Sequence, residues 1–395
     1  MNYIFDEYDY DIENKYRSCV VIHLYYHDDI YKFAQYISNI PDCVDIIFTY
    51  SSEKIYEEIK KVTYKIKNNI FYIKKENRGR DVSAFLVAAR KKILEYDIFC
   101  FIHDKKSKNK VLQNDTDEWT YSLWENSLSS KKYIKYIMYI FENNSNVGVL
   151  TPPLYFGKNF SAEIIDQWGD NYKILKKMLI DTGVKKIPPK ESAINAFGTV
   201  FWARKDALIK LLSRDWQYED FDKEPLADDG TISHAIERSI WFYAQDAGYE
   251  CHSVMTKRYA DAQINKYQKA LLCMMKLIND NLGCWNLTEI EQFEDKKIEL
   301  KKFCSNYEKI YIYGAGINGR ACLKILRMQN IFPEAFIVSS RINSVNEIDE
   351  ISVIELNKCK ISAKVGIIVA VSKKNRNDII KLLCGIINKE NIFIY

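Results

Sequence analysis

Three stretches of the chain gather residue types that could do chemistry together. The first is Asn77-Arg78-Gly79-Arg80-Asp81. It lies between an apolar run and an amphipathic one and so reads as a strand-to-helix loop, where the first backbone N–H groups of the helix point beyond the strand end. Gly79 allows a ligand to approach the backbone closely. Arg78 and Arg80 suit phosphate or sugar oxygens, and Asp81 suits a sugar hydroxyl or the helix cap. An ordinary N-cap with two solvated arginines is the plainer description of the same residues. The second stretch is His103-Asp104-Lys105-Lys106-Ser107. Two lysines beside a histidine and a hydroxyl resemble an anion clamp that would stabilise a departing diphosphate without a metal; standing alone, the run would read as surface charge. The third runs from Asp229 through His234 and Glu237 to Arg238. Asp229 can cap a helix on which His234 and Glu237, three apart, share a face. A carboxylate so placed can take the proton of an attacking hydroxyl. Glu237 is the first candidate for that base and Asp229 the second, against an ion pair of Glu237 with Arg238 that merely holds the helix.

These stretches need elements to position them. Apolar runs at 18–26, 44–50, 69–75 and 97–103 alternate with helical patterns at 29–37, 52–63 and 82–95. That alternation predicts an α/β fold with a mostly parallel sheet and flanking helices, whose ligands bind beyond the strand C-termini. His23 and Tyr25 follow the first strand, Thr49 ends the second, Asn77 to Asp81 follow the third, and His103 to Ser107 close the fourth. All four strand ends would line one crevice. A second block, from about 119 to 249, mixes helices with shorter strands. There Trp202 offers an apolar platform for a sugar ring and Arg204 stands beside it, with core packing as the rival reading of the tryptophan.

The chain has 395 residues, with 57 Lys+Arg against 53 Asp+Glu, giving a formal charge of +4. That balance argues against a dedicated nucleic-acid binder. Ten cysteines are scattered without a CxxC pair, so neither a zinc module nor a disulfide framework is indicated. The acidic N-terminus is unlike a signal peptide, and no apolar run reaches the ~18 residues of a membrane helix. A cytoplasmic location, with contact at the inner face of the membrane, is the expectation.

The segments VVIHLYY, DIIFTYS, ENRGRDVSAFL, YDIFCFIHDKKS, GVLTPP, AFGTVFWARKDAL and DDGTISHAIER resemble the rhamnan synthesis F family, rhamnosyltransferase-like proteins of bacterial polysaccharide assembly. The likeness covers roughly residues 18–255. It implies a GT-A-like glycosyltransferase fold, a dTDP- or UDP-linked sugar donor and a growing, lipid-linked saccharide as acceptor. Asn77 and Asp81 would position the donor. Many GT-A enzymes hold a divalent ion through Asp-x-Asp at the fourth strand end; here that position reads His103-Asp104-Lys105, so departure assisted by lysine and requiring no metal is expected. Asp115 and Asp117 are the reserve metal ligands.

The tail opens on KIYIYGAGINGR. Gly314, Gly316 and Gly319 follow a strand and open a helix, as in a dinucleotide fingerprint. The acid expected on a ribose is replaced by Ser339 and Ser340, with Arg341 nearby. A structural Rossmann-like module is the first reading, a site for NAD(P) or another nucleotide the second. Between the two lies an apolar stripe, Ile264, Tyr267, Leu271, Met274, Met275 and Ile278, flanked by Lys266, Lys269 and Lys276. It reads as an interdomain packing helix or as one lying on an anionic bilayer. The expected division is 1–255 for the transferase-like domain, 256–305 for a helical connector and 306–395 for the Rossmann-like domain. The competing function is a nucleotide-binding accessory protein whose first domain holds saccharide without catalysis.

Overall fold

The computed structural model of the chain describes residues 2–106, 113–155, 168–190, 192–194, 196–227, 229–282, 293–340 and 346–395. Contacts divide it into two units, Met1–Gln263 and Ile264–Tyr395.

The first unit is built on a sheet of eight strands: β1 (Asn2–Phe5), β2 (Ser18–His23), β3 (Asp45–Tyr50), β4 (Ile70–Lys74), β5 (Ile98–His103), β6 (Val147–Thr151), β7 (Phe201–Arg204) and β8 (Glu250–Thr256). Their order is β1-β8-β6-β7-β5-β2-β3-β4. Every pairing is parallel except those of β7, which runs antiparallel to both β5 and β6. The other seven strands therefore end at one edge of the sheet. β1 was not expected, because its few apolar residues sit in an acidic stretch; parallel pairing with β8 holds it.

The helices are α1 (Ile30–Ser38), α2 (Glu53–Thr63), α3 (Arg80–Ser83), α4 (Arg90–Ile93), α5 (Gln113–Leu128), α6 (Lys131–Asn143), α7 (Tyr172–Asp181), α8 (Ile209–Ser213), α9 (Ile232–Asp246) and α10 (Lys257–Leu282). Both faces of the sheet are covered, and successive strand residues go to opposite cores. Val20, Ile22, Phe48, Cys100 and Trp202 pack with α1, α2, α5 and α6. Val21, Ile47, Phe101, Phe201 and Ala203 pack with α3, α4, α7, α8 and α9. The single helix expected over 82–95 is interrupted: α3 leads into a π-helical turn, Ala84–Ala88, before α4. The Ser83 hydroxyl turns back to the carbonyls of Arg78 and Arg80, and the widened turn buries Ala84, Phe85 and Leu86.

The second unit holds α11 (Phe293–Cys304), α12 (Ile317–Met328), α13 (Lys373–Cys384) and six strands: β9 (Lys309–Tyr313), β10 (Ala335–Val338), β11 (Glu347–Ile348), β12 (Ile351–Glu355), β13 (Val365–Val369) and β14 (Ile392–Ile394). The order is β11-β12-β10-β9-β13-β14, parallel except for β11. The chain winds outward from β9 through β10, then returns to β13, the topology of a doubly wound Rossmann-like sheet. Gly314 has φ +112°, and a Cβ there would stand 2.5 Å from Ala370 O, while one on Gly319 would collide with Gly314 O. These two glycines let α12 pack close on the strand ends; above Gly316 there is open space. The Ser339 hydroxyl is hydrogen-bonded to Tyr313 Oη at 2.7 Å, and Arg341 lies outside the described residues. Among the described residues no helix is long and apolar enough to cross a membrane.

Candidate functional site

The crevice at the shared strand edge begins at Gly79. Its φ of +71° is left-handed, and a Cβ would stand 2.6 Å from the Phe221 ring, so backbone conformation and close packing both demand glycine. Arg80 follows with φ +47°. Arg78 is not free for phosphate. Its guanidinium donates to Phe221 O at 2.8 Å and Glu219 O at 3.2 Å, pinning the 219–221 segment against the loop. Arg80 reaches toward Glu224, 3.8 Å away, and Asn77 is exposed.

Asp81 connects this loop to the next strand end. Its Oδ2 lies 3.4 Å from His103 Nε2. His103, buried at the end of β5, also places Nε2 2.7 Å from Gly198 O and Nδ1 2.8 Å from Asp104 O, so both ring nitrogens face acceptors. Burial alone would raise the Asp81 carboxyl; the neighbouring His103 and Lys105, with a backbone hydrogen bond, hold it below the usual carboxylate range. Asp104 does the opposite. Its Oδ2 accepts from the N–H groups of Tyr25 (2.9 Å) and Tyr26 (2.8 Å), yet burial pushes it up to about 6. It fixes the turn after β2, which leaves the Tyr25 ring partly exposed and edge-on to Tyr26.

His23 and Thr49, expected to face a ligand, instead hold each other. His23 Nδ1 lies 3.0 Å from Thr49 Oγ1, both are buried, and desolvation together with the charge of Lys75 takes the imidazole down to about 3. Lys105 places its ammonium 4.2 Å over the Trp119 ring, and Lys106 stands 3.6 Å from Asp29. Ser107 and the side chain of Asp115 lie outside the described residues; Asp117 is exposed on α5. Among the described residues no three His, Cys, Asp or Glu side chains cluster as metal ligands.

The third stretch forms the N-terminal half of α9 and its approach. Thr231 caps the helix, accepting from His234 N, and its hydroxyl is 2.8 Å from His234 Nδ1. Desolvation lowers the His234 pKa, with Arg238 and Arg80 acting in the same direction against Glu237 and Asp229. Asp229 lies before the cap. It accepts from Asn171 Nδ2 at 2.6 Å and Asp170 N at 3.2 Å, with Arg238 3.5 Å away; these contacts outweigh its burial and hold the carboxyl low. Glu237 is mostly buried and accepts from the Thr199 hydroxyl at 3.3 Å, with Arg238 4.0 Å from its other oxygen. α3 packs against α9. The structure thus brings Arg80, Asp81 and His103 together with His234 and Glu237 around the Gly198–Thr199 turn.

Two expected acceptor residues do not join them. Trp202 is 1% exposed, its indole N–H donating to Ser127 O at 3.2 Å. Arg204 is buried and donates to Val147 O (2.9 Å), Asn144 O (3.2 Å) and Phe141 O. β7 is an inner strand with both faces covered, so its side chains enter the cores; this corrects the reading of Trp202 and Arg204 as an acceptor platform. Sequence reasoning also missed Lys75 and Asn171, neither of which stands in a recognisable motif, and gave no role to Thr199 or Asp104 although both lie in quoted segments.

A profile of the rhamnan synthesis protein F family matches residues 1–249. The uncharacterized protein WxcX of Xanthomonas campestris pv. campestris strain B100 is 27% identical over 239 residues, which are 60% of this chain and 32% of that protein. Its counterpart in strain ATCC 33913 is 26% identical over the same shares. The chain spans about a third of the length of these relatives. The match over residues 1–249, most of the first unit, makes this chain a member of the rhamnan synthesis protein F family.

Proposed function

We propose that the first unit is a glycosyltransferase that moves rhamnose or a related sugar from a dTDP- or UDP-linked donor to a growing cell-surface polysaccharide. Family membership ties the chain to polysaccharide synthesis. The observation that carries the finer reading is the Gly198–Thr199 turn: His103 lies against the Gly198 carbonyl and Glu237 accepts from the Thr199 hydroxyl, which supports a donor-side loop and a carboxylate base acting in one crevice.

The reaction would be a single displacement that inverts the anomeric carbon. An acceptor hydroxyl attacks that carbon, the bond to the diphosphate oxygen breaks, and the hydroxyl proton passes to Glu237, with Asp229 as the second choice of base. His234 lies beside both. Arg80, Lys105 and Lys106 would meet the charge developing on the diphosphate. Lys106 would exchange Asp29 for phosphate oxygen, and Asn77 and Asp81 would orient the donor. Departure without a required divalent ion is favoured by the engagement of Asp104 with the Tyr25 and Tyr26 N–H groups, which takes up one oxygen of the carboxylate at the strand-end position. The acceptor would be lipid-linked, bringing the chain to the inner face of the membrane. In the second unit, a structural role is the favoured reading of Gly314 and Gly319.

The test is transfer and hydrolysis assayed on the full chain with dTDP- and UDP-sugars, with Mn²⁺ or EDTA. Turnover that is lost in Glu237→Gln and indifferent to EDTA supports the reading. Absence of turnover or nucleotide binding in the first unit, with NAD(P) binding elsewhere, would replace it with the accessory protein.

A further inference from the structure

Lys75 is a buried cation that nothing in the mechanism above uses. Its backbone N–H donates to Tyr50 O at 2.9 Å, continuing the β3–β4 pairing one residue past β4. The residue is 5% exposed. An ammonium has three donors. Among the described residues Nζ makes one hydrogen bond, a long one of 3.4 Å to Arg78 O in the Asn77–Asp81 loop.

The charged groups that face it are Glu76 beside it, Asp81 on α3, Glu224 on the segment after Phe221, and His23 at the end of β2. His23 is neutral. Asp81 is engaged by His103 at 3.4 Å, and Glu224 by Arg80 at 3.8 Å. Two of the three carboxylates near Lys75 are thus shared with other groups, and burial brings its ammonium down to about 8 despite all three. A buried charge so weakly compensated destabilises a fold unless something else meets it.

We propose that Lys75 is an anion-binding residue of the crevice, whose unmet donors take phosphate oxygens of a nucleoside diphosphate seated on the Gly79–Asp81 turn, with uptake of a proton at Nζ when the ligand binds under alkaline conditions. The ligand class rests on the transferase reading; the anion requirement rests on Lys75 itself. Binding selects the protonated amine, so affinity falls as pH rises through its free value. A group titrating near 8 makes the loss about tenfold between pH 7 and pH 9.

The experiment is calorimetric titration of the full chain with UDP, dTDP and inorganic pyrophosphate at pH 7 and pH 9, in two buffers of different ionisation enthalpy. Wild type is expected to bind about tenfold more weakly at pH 9 and to take up a proton there. Lys75→Met should bind weakly at both values without that proton. Lys75→Arg, charged throughout, should remove the loss at pH 9. Melting curves of each variant verify the fold. Nucleotide binding with the same pH dependence in Lys75→Met overturns the role of Lys75 and leaves the transferase reading standing. Pyrophosphate binding that depends on Lys75, with no binding of either nucleotide, overturns the nucleotide class alone. No binding of any of the three overturns both.

Discussion

The Thr199 hydroxyl donates to Glu237 Oε2 at 3.3 Å, one residue after the Gly198 carbonyl that lies 2.7 Å from His103 Nε2. Gly198 and Thr199 both have positive φ, +93° and +52°, so the turn is a tight one with little freedom to shift. As the base proposed above, Glu237 would depend on Thr199 for its aim. Glu237→Gln is expected to lower transfer by about 10²–10⁴-fold while donor binding persists. Thr199→Val should lower kcat with an unchanged KM for the donor, and Thr199→Ser should restore it. Steady-state kinetics on the three variants checks this, and an active Glu237→Gln would move the role of base to Asp229.

Asp81 and Asp104 should shape stability against pH in opposite directions. Asp81 is held below its unfolded value, so its ionised form stabilises the fold above the ordinary carboxylate range, and that contribution is lost as pH falls through its folded value. Asp81→Asn should therefore melt lower than wild type at pH 7, with the difference fading toward pH 3. Asp104 is raised to about 6 against about 4 when unfolded, so its part of the stability falls as pH rises between those values. Asparagine keeps an oxygen for the Tyr25 and Tyr26 N–H groups. Asp104→Asn should melt higher than wild type at pH 7 and lose the decline between pH 4 and 6. Melting temperatures from pH 3 to 8 read both effects.

The strands that carry these residues were legible because they are buried on both faces. Ser18–His23 and Ile98–His103 are wholly buried, and such strands read as continuous apolar runs. The direction of β7 was not legible, since FWAR is equally apolar running either way and its pairing with β5 and β6 is set by distant chain. The grouping of loops was partly legible: Asp81 lies 3.4 Å from His103, and Glu237 is linked to His103 through the Gly198–Thr199 turn. Which polar residues face the crevice was not, because a His or Thr at a strand end looks the same whether it meets a ligand or, like His23 and Thr49, its neighbour. Lys75 was hidden for the same reason, one lysine of a pair that reads as a solvated strand end.

Trp202 separates packing from recognition. Its ring fills the core beside α5 and α6, so Trp202→Ala should cost about 3–5 kcal/mol of stability, while Trp202→Phe should fold and keep its turnover per folded molecule. Denaturant unfolding beside acceptor kinetics decides between the two roles. A large rise in acceptor KM in a fully folded Trp202→Phe would restore the sugar platform.

Gly79 should be the most sensitive residue of the donor loop to a single methyl group. A Cβ meets left-handed strain and the Phe221 ring at once, and Phe221 is the residue whose carbonyl Arg78 holds. Backbone strain of this type costs about 1–3 kcal/mol, and relief requires the loop to move away from the 219–221 segment. That movement would shift Arg80 and Asp81, the residues nearest the proposed diphosphate and His103. Gly79→Ala is therefore expected to weaken nucleotide binding more than it lowers the melting temperature, and Phe221→Ala in the same chain should recover part of the binding by removing the clash. Calorimetry of the single and double variants tests this coupling. Additive losses in the double variant would show that Phe221 does not press the loop into its binding conformation.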